Sequence, residues 1–150
     1  MINTIRTNSE NPGFIDLVKL LDAELAQRDG KDHAFYAQFN KIDLIKYVVI
    51  ALEDERPVSC GAMKELGDGI IEIKRMYSSE NARGKGIASK ILSELEKWAK
   101  ELGYHKCVLE TGSRQTEAIA LYQKNGYSRI PNYGQYAGIE NSLCFEKKLV

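Results

Sequence analysis

The sequence carries no excess of either charge: 21 Lys and Arg balance 21 Asp and Glu. A nucleic-acid footprint or a membrane-attracting surface needs a basic excess, so neither class is indicated, although a local basic pocket fits inside a neutral total. Cysteine is scarce, and Cys60, Cys107 and Cys144 form no C-x-x-C pair. Each lies in an apolar, strand-like run, which predicts buried reduced thiols acting as small hydrophobes. His33 and His105 show no ligand spacing with them, so no metal site is expected. Long apolar runs are also missing. The N-terminal Met1-Ile2-Asn3-Thr4-Ile5-Arg6 has no apolar signal core, and the longest uninterrupted apolar run, residues 47–52, is far too short to span a bilayer. A reducing cytoplasm is the expected location. There is no internal repeat, low-complexity tract or linker. At 150 residues the chain is expected to form one domain, long enough to bury about 70% of its unfolded surface.

What is present alternates between strand-like and helix-like periods. Residues 2–7 alternate apolar and polar, as a short strand does. Asn11 and Pro12 then form a helix start, cap followed by first helical position. Phe14, Leu17, Val18, Leu21 and Leu25 follow at helical spacing, and Gly30 is a plausible stop. A second short helix is expected over residues 32–39, with Phe35, Tyr36 and Phe39 as an aromatic stripe that either packs in the core or borders a substrate. Residues 45–52 read as a strand buried on both faces. After the charged turn at residues 53–57 comes a strand over 58–65, and Gly67-Asp68-Gly69 is a hairpin turn that pairs it with a strand over 70–77. A long helix follows, with Ile87, Ile91, Leu92, Leu95, Trp98, Ala99 and Leu102 on one face and Gly103 ending it. A short strand over 106–109, a helix capped by Ser113 and running to about Lys124, a strand over 127–130, an aromatic loop over 131–138 and a last strand over 141–149 complete the chain. The layout is that of a mixed α/β sandwich.

The centre of the chain is the junction between the strand ending at Tyr77 and the long helix. Ser78-Ser79-Glu80-Asn81-Ala82 turns into Arg83-Gly84-Lys85-Gly86-Ile87-Ala88. A strand, a glycine-rich turn and a helix together present unpaired backbone N–H groups and a partial positive charge to a phosphate. Glycine at 84 and 86 lets such a ligand approach the backbone, and Arg83 and Lys85 add charge. The dinucleotide fingerprint needs a third spaced glycine, and the mononucleotide P-loop needs a Lys-Ser or Lys-Thr pair where Ile87 and Ala88 stand. A tight connection that binds nothing is the alternative.

The pattern Arg-x-x-Gly-x-Ala at residues 83–88, after a strand carrying Glu72, resembles the acetyl-CoA-binding motif of the GCN5-related N-acetyltransferases. Ala118-Ile119-Ala120-Leu121-Tyr122, followed by Asn125-Gly126-Tyr127, resembles the next motif of that family. The resemblance covers roughly residues 45–150. It implies a mixed, mostly antiparallel sheet of about six or seven strands with helices on both faces, acetyl-CoA as cosubstrate without a metal, and a soluble enzyme that acetylates an amine. Dimers are frequent in the family, and strand edges near the C-terminus allow a homodimer.

Acetyl transfer from a thioester to an amine requires a held pyrophosphate, a polarised carbonyl, loss of a proton from the amine and gain of one by the thiolate. The resemblance assigns the first to the backbone of Arg83, Gly84, Lys85, Gly86, Ile87 and Ala88 and to the Ser89 hydroxyl. It assigns the second to backbone groups of Met76 and Ser78, with Tyr77 a further coenzyme contact, where the strand parts from its neighbour and frees backbone N–H groups for a developing oxyanion. A lysine-type amine, with a pKa near 10.4, is neutral in only about one part in 10³ near pH 7, a cost of roughly 4.6 kcal/mol, against about 1 kcal/mol for an α-amine. A general base therefore helps a basic acceptor most. Glu72 matches the family's catalytic glutamate by its spacing to Arg83; alternatively, it is a sheet charge satisfied by a neighbouring cation. Tyr122 stands where the family has the tyrosine that protonates the coenzyme sulfur; alternatively, it simply packs. Gln115 stands where many members have a coenzyme-contacting Asn. Tyr36, Thr111, Tyr133 and Tyr136, with Gln135 and Arg114, are candidates to line an acceptor pocket. Arg75 either binds an acceptor carboxylate or pairs with Glu72 or Glu110. A small-molecule or amino-acid acceptor is the leading expectation. The alternatives are a protein or peptide acceptor and a non-catalytic acyl-CoA sensor.

Overall fold

A computed structural model describes residues 1–29 and 45–150. Among these, seven strands form one sheet in the order β1-β2-β3-β4-β5-β7-β6. The strands are β1 (Ile2–Thr7), β2 (Tyr47–Glu53), β3 (Arg56–Gly67), β4 (Ile70–Ser78), β5 (Lys106–Gly112), β6 (Ser128–Ile130) and β7 (Ser142–Lys148). Only β4 and β5 pair in parallel; the other neighbours are antiparallel. The helices are α1 (Pro12–Asp29), α2 (Ile87–Glu101) and α3 (Thr116–Lys124). The mixed, mostly antiparallel sheet is as expected. No helix among the described residues is long and apolar enough to cross a membrane.

The strand period divides the core into two layers. Val48 and Ile50 of β2 point to α1, where they meet Phe14, Leu17 and Val18; Val49 and Ala51 point the other way, into the layer of Ile91, Leu92 and Leu95 of α2. The four β2 residues are at most 1% exposed, so this strand is buried on both faces as expected. Each fully buried Leu or Ile contributes about 1.5–3 kcal/mol by leaving water, and these residues fix α1 on one face and α2 on the other.

Element ends follow local chemistry. Asn11 Oδ1 accepts hydrogen bonds from the N–H of Gly13 at 2.8 Å and of Phe14 at 3.3 Å, capping α1. Helix α2 ends with Tyr104 N–H donating to Ala99 O and Gly103 N–H to Lys100 O, both at 3.0 Å. Helix α3 ends the same way, with Tyr127 N–H to Tyr122 O at 3.0 Å and Gly126 N–H to Gln123 O at 3.2 Å. The hairpin at Asp68 and Gly69 is present, with φ of 55° and 76°.

Three expectations change. Strand β5 continues to Gly112 because its ladder with β7 runs on to Gly112–Ser142. Consequently Ser113 does not cap α3: Gln115 N–H bonds back to Gly112 O at 3.0 Å, and the helix starts at Thr116. Leu102 lies at the helix end and is exposed rather than part of the buried face. The helix expected over residues 32–39, Tyr36 with it, and the stop at Gly30 lie outside the described residues. Cys60, Cys107 and Cys144 are buried free thiols, as expected.

Candidate active site

Strand β4 builds the site by breaking two rules. First, its parallel ladder with β5 ends at Ile73–Leu109, so the strands part beyond that point and β4 leaves a backbone edge open towards Met76. Second, it is bulged. Cys60 pairs with Tyr77 but Ala62 pairs with Lys74, so Gly61 alone opposes Arg75 and Met76. Arg75 absorbs the extra residue at φ +59°, in the left-handed region that a non-glycine residue rarely occupies. The bulge reverses the side-chain phase. Met76 packs on the α2 side with Ile71 and Ile73, Tyr77 packs on the α1 side, and Arg75 turns to α1, where its Nη1 donates to Asp22 Oδ1 at 2.9 Å.

Two adjoining cavities flank this segment. The larger, about 420 Å³, is lined by Met76, Tyr77, Ser78, Arg83, Gly84 and Gly86, by Ile87, Ala88 and Ser89, and on its far side by Gln115 and Tyr122. The smaller, about 80 Å³, is lined by Glu72, Arg75, Glu110, Thr111 and Tyr136 among others. Leu21, Leu25, Met76, Gln115 and Tyr122 border both.

In the larger cavity, Gly86 is the N-cap of α2 at φ +76°, and a Cβ at Gly84 or Gly86 would meet nothing within 4 Å. The first helical bond is Lys90 N–H to Gly86 O, so the N–H groups of Ile87, Ala88 and Ser89 precede it and point out of the helix end. Arg83 itself is engaged elsewhere. Its Nη2 bonds both oxygens of Glu24 at 2.8 and 3.0 Å, and its Nε bonds Ser78 O at 2.9 Å, which ties the turn to α1 and β4. Lys85 does not line the cavity, and its Nζ lies 3.7 Å from Glu53. A phosphate here would meet backbone donors, the helix dipole and the Ser89 hydroxyl, which already accepts from Asn125 Nδ2 at 3.1 Å.

In the smaller cavity, Glu72 is 3% exposed. Tyr133 donates its hydroxyl hydrogen to Glu72 Oε2 at 2.5 Å, and Lys74 Nζ lies 3.6 Å from Oε1. Burial, reinforced by the Glu72 charge, raises the pKa of Tyr133 and keeps it a donor. Tyr122 is 6% exposed, with its ring against Tyr127 and Phe145 at centroid distances of 5.9 and 6.4 Å. Burial, with the Glu110 charge adding to it, raises its pKa as well, so it carries its proton at neutral pH. Cys60, the thiol nearest the bulge, is pushed up to about 12 by burial and stays a protonated thiol near neutral pH.

The Acetyltransferase (GNAT) family profile matches residues 14–127. The chain belongs to this family. The match begins in α1, further towards the N-terminus than the two motifs. The uncharacterised N-acetyltransferase YjgM of Escherichia coli (strain K12) is 41% identical over 134 residues, which are 83% of this chain and 80% of that protein. A solved Klebsiella pneumoniae structure, assigned as an acyl-CoA N-acyltransferase, superposes with a TM-score of 0.85 at 27% identity, covering 100% of this chain and 99% of that one. The PaiA N-acetyltransferase of Thermoplasma acidophilum, solved in complex with coenzyme A, has the same fold, with a TM-score of 0.71 at 18% identity over 99% of both chains.

This GNAT member is an acyl-CoA-dependent acetyltransferase, and its family motifs also serve its architecture. Asn125 and Tyr127 clamp α3 to α2, Asn125 through Ser89 and Tyr127 by donating to Glu96 Oε2 at 2.9 Å. Of the coenzyme candidates, all but Lys85 line the larger cavity. Glu72, Arg75, Thr111 and Tyr136 line the smaller one, and Tyr133 reaches it through Glu72. Gln135 and Arg114 are exposed, and Arg75 pairs with Asp22 rather than with Glu72 or Glu110. Sequence reasoning missed Leu21, Asp22, Glu24 and Leu25. The two leucines carried a signal, the apolar stripe of α1; the two acids carried none.

Proposed function

We propose that this enzyme transfers the acetyl group of acetyl-CoA to a primary amine of a small molecule or amino acid, by direct attack with both substrates bound. The observation that carries this reading is the meeting of the two cavities at Met76, Gln115 and Tyr122, with Glu72 in one and the α2 N-terminus in the other. The turn at Gly84 and Gly86 and the N–H groups of Ile87 and Ala88 hold the pyrophosphate, and Ser89 adds a hydroxyl. The open edge of β4 at Met76 and Ser78 aligns the thioester and supplies backbone donors to its carbonyl. Glu72, held by Tyr133, takes the proton of the attacking amine directly or through water. Tyr122 gives its proton to the departing thiolate sulfur. No cysteine lines either cavity, which supports direct attack over an acyl-cysteine intermediate.

Glu72→Gln tests the base. Its loss in kcat/KM should be about 10²–10⁴-fold near pH 7 and should shrink as pH approaches the acceptor's own pKa, where the amine is already neutral. A loss of the same size at every pH would make Glu72 an orienting group only.

A further inference from the structure

Arg75 is the most conspicuous group in the site that acetyl transfer leaves unused. It is 7% exposed and lines the smaller cavity, and its Nε has no hydrogen-bond partner among the described residues. Its one ion pair among the described residues, through Nη1, is with Asp22, whose side chain is half exposed and therefore screened by solvent. An unsatisfied buried donor on a cation is costly, and so is its left-handed backbone; both recur where a ligand completes the site. Regular alternation would send Arg75 into the α2 layer with Ile71 and Ile73. The bulge sends it to the acceptor side instead.

The same space is lined by Glu72 and Glu110 and by a second cation, Lys74, whose Nζ lies 3.6 Å from Glu72 Oε1. Opposite charges therefore face one volume of about 80 Å³, and a water molecule needs about 10–15 Å³. That is room for roughly five to eight heavy atoms, enough for an amino nitrogen, Cα and a carboxylate. A guanidinium edge with a spare N–H matches one carboxylate. We propose that the acceptor is a free α-amino acid whose carboxylate is bound by Arg75 while its amine faces Glu72 at the junction with the larger cavity. This rests on the acetyltransferase reading and narrows it.

The test is coenzyme A release at saturating acetyl-CoA with matched triplets: each free L-amino acid, its carboxamide and its decarboxylated amine. The carboxamide has the less basic amine, so chemistry alone favours it. The proposal expects at least one free amino acid to exceed both counterparts in kcat/KM by about 30-fold or more. In Arg75→Gln that gap should fall to within a few-fold, mainly through the KM of the amino acid, with acetyl-CoA affinity by calorimetry unchanged. If Arg75→Gln does not fold, the wild-type protein still decides: N-acetyl amino acids should compete with the acceptor, and their carboxamides should not. Amines or carboxamides turned over as well as the amino acids, or turnover of no free amino acid, overturn the proposal while acetyl-CoA binding leaves the broader reading standing. Failure to bind acetyl-CoA overturns both.

Discussion

At the scale of single residues, the chemistry turns on the protonation states that burial sets. Tyr122 is enclosed by Tyr127 and Phe145 and keeps its proton, which a donor to a thiolate requires. Tyr122→Phe removes the proton and little of the packing. Its kcat should fall by about 10²–10⁴-fold while the dissociation constant for acetyl-CoA stays within a factor of about two. An unchanged kcat would leave Tyr122 as packing only. Glu72 and Tyr122 were readable in the sequence because each stands at a fixed offset from a motif. Asp22 and Glu24 were not. They sit on α1 among other exposed charges, and their partners Arg75 and Arg83 lie 53 and 59 residues downstream, a distance that no local pattern encodes. Arg83 shows the consequence: the sequence offers its charge to a phosphate, but the fold gives that charge to Glu24.

At the scale of elements, β4 and what crosses it decide where the site lies. Most of the sheet could be anticipated, because alternation, the Asp68-Gly69 turn and the amphipathic face of α2 are local signals. The bulge could not. No glycine or proline marks Arg75 and Met76, and the residue that accommodates the bulge, Gly61, lies on the neighbouring strand. A Cβ at Gly61 would stand 2.5 Å from Met76 Sδ, 2.7 Å from Ile91 Cγ2 and 2.9 Å from Leu95 Cδ1. Helix α2 therefore packs onto β3 at the point where β4 bulges. Gly61→Ala should cost about 1–3 kcal/mol in urea denaturation by overpacking. It should also weaken acetyl-CoA binding, since Met76 must move in the cavity wall. Stability equal to the wild type would show that α2 and Met76 are not held as close as this. The end of β5 has a related cause: the sequence pattern predicts a strand ending at Leu109, but pairing with β7 carries it to Gly112.

At the scale of the whole molecule, burial makes stability depend on pH on the alkaline side. Cys60 and Cys107 rise from 9.0 to about 12, in both cases chiefly through burial. The folded chain thus keeps protons that the unfolded chain releases from about pH 9. Their contribution is complete below about pH 9 and is lost as pH rises towards 12, at up to about 1.4 kcal/mol per pH unit for each thiol. The buried tyrosines act in the same direction. Urea midpoints should be level up to about pH 9 and fall steadily above it; a midpoint flat to about pH 11 would contradict the burial of these groups.

The enzyme's proposed reaction is acetyl transfer from acetyl-CoA to an amine where the two cavities meet. The most direct test is coenzyme A release from acetyl-CoA, followed with and without a panel of free amino acids, polyamines, aminoglycosides and N-terminal peptides. Turnover well above background hydrolysis is expected with one acceptor class, acetylated on nitrogen, and it should collapse in Tyr122→Phe. Release at the same slow rate with every acceptor and with none, or release that Tyr122→Phe leaves intact, would contradict it.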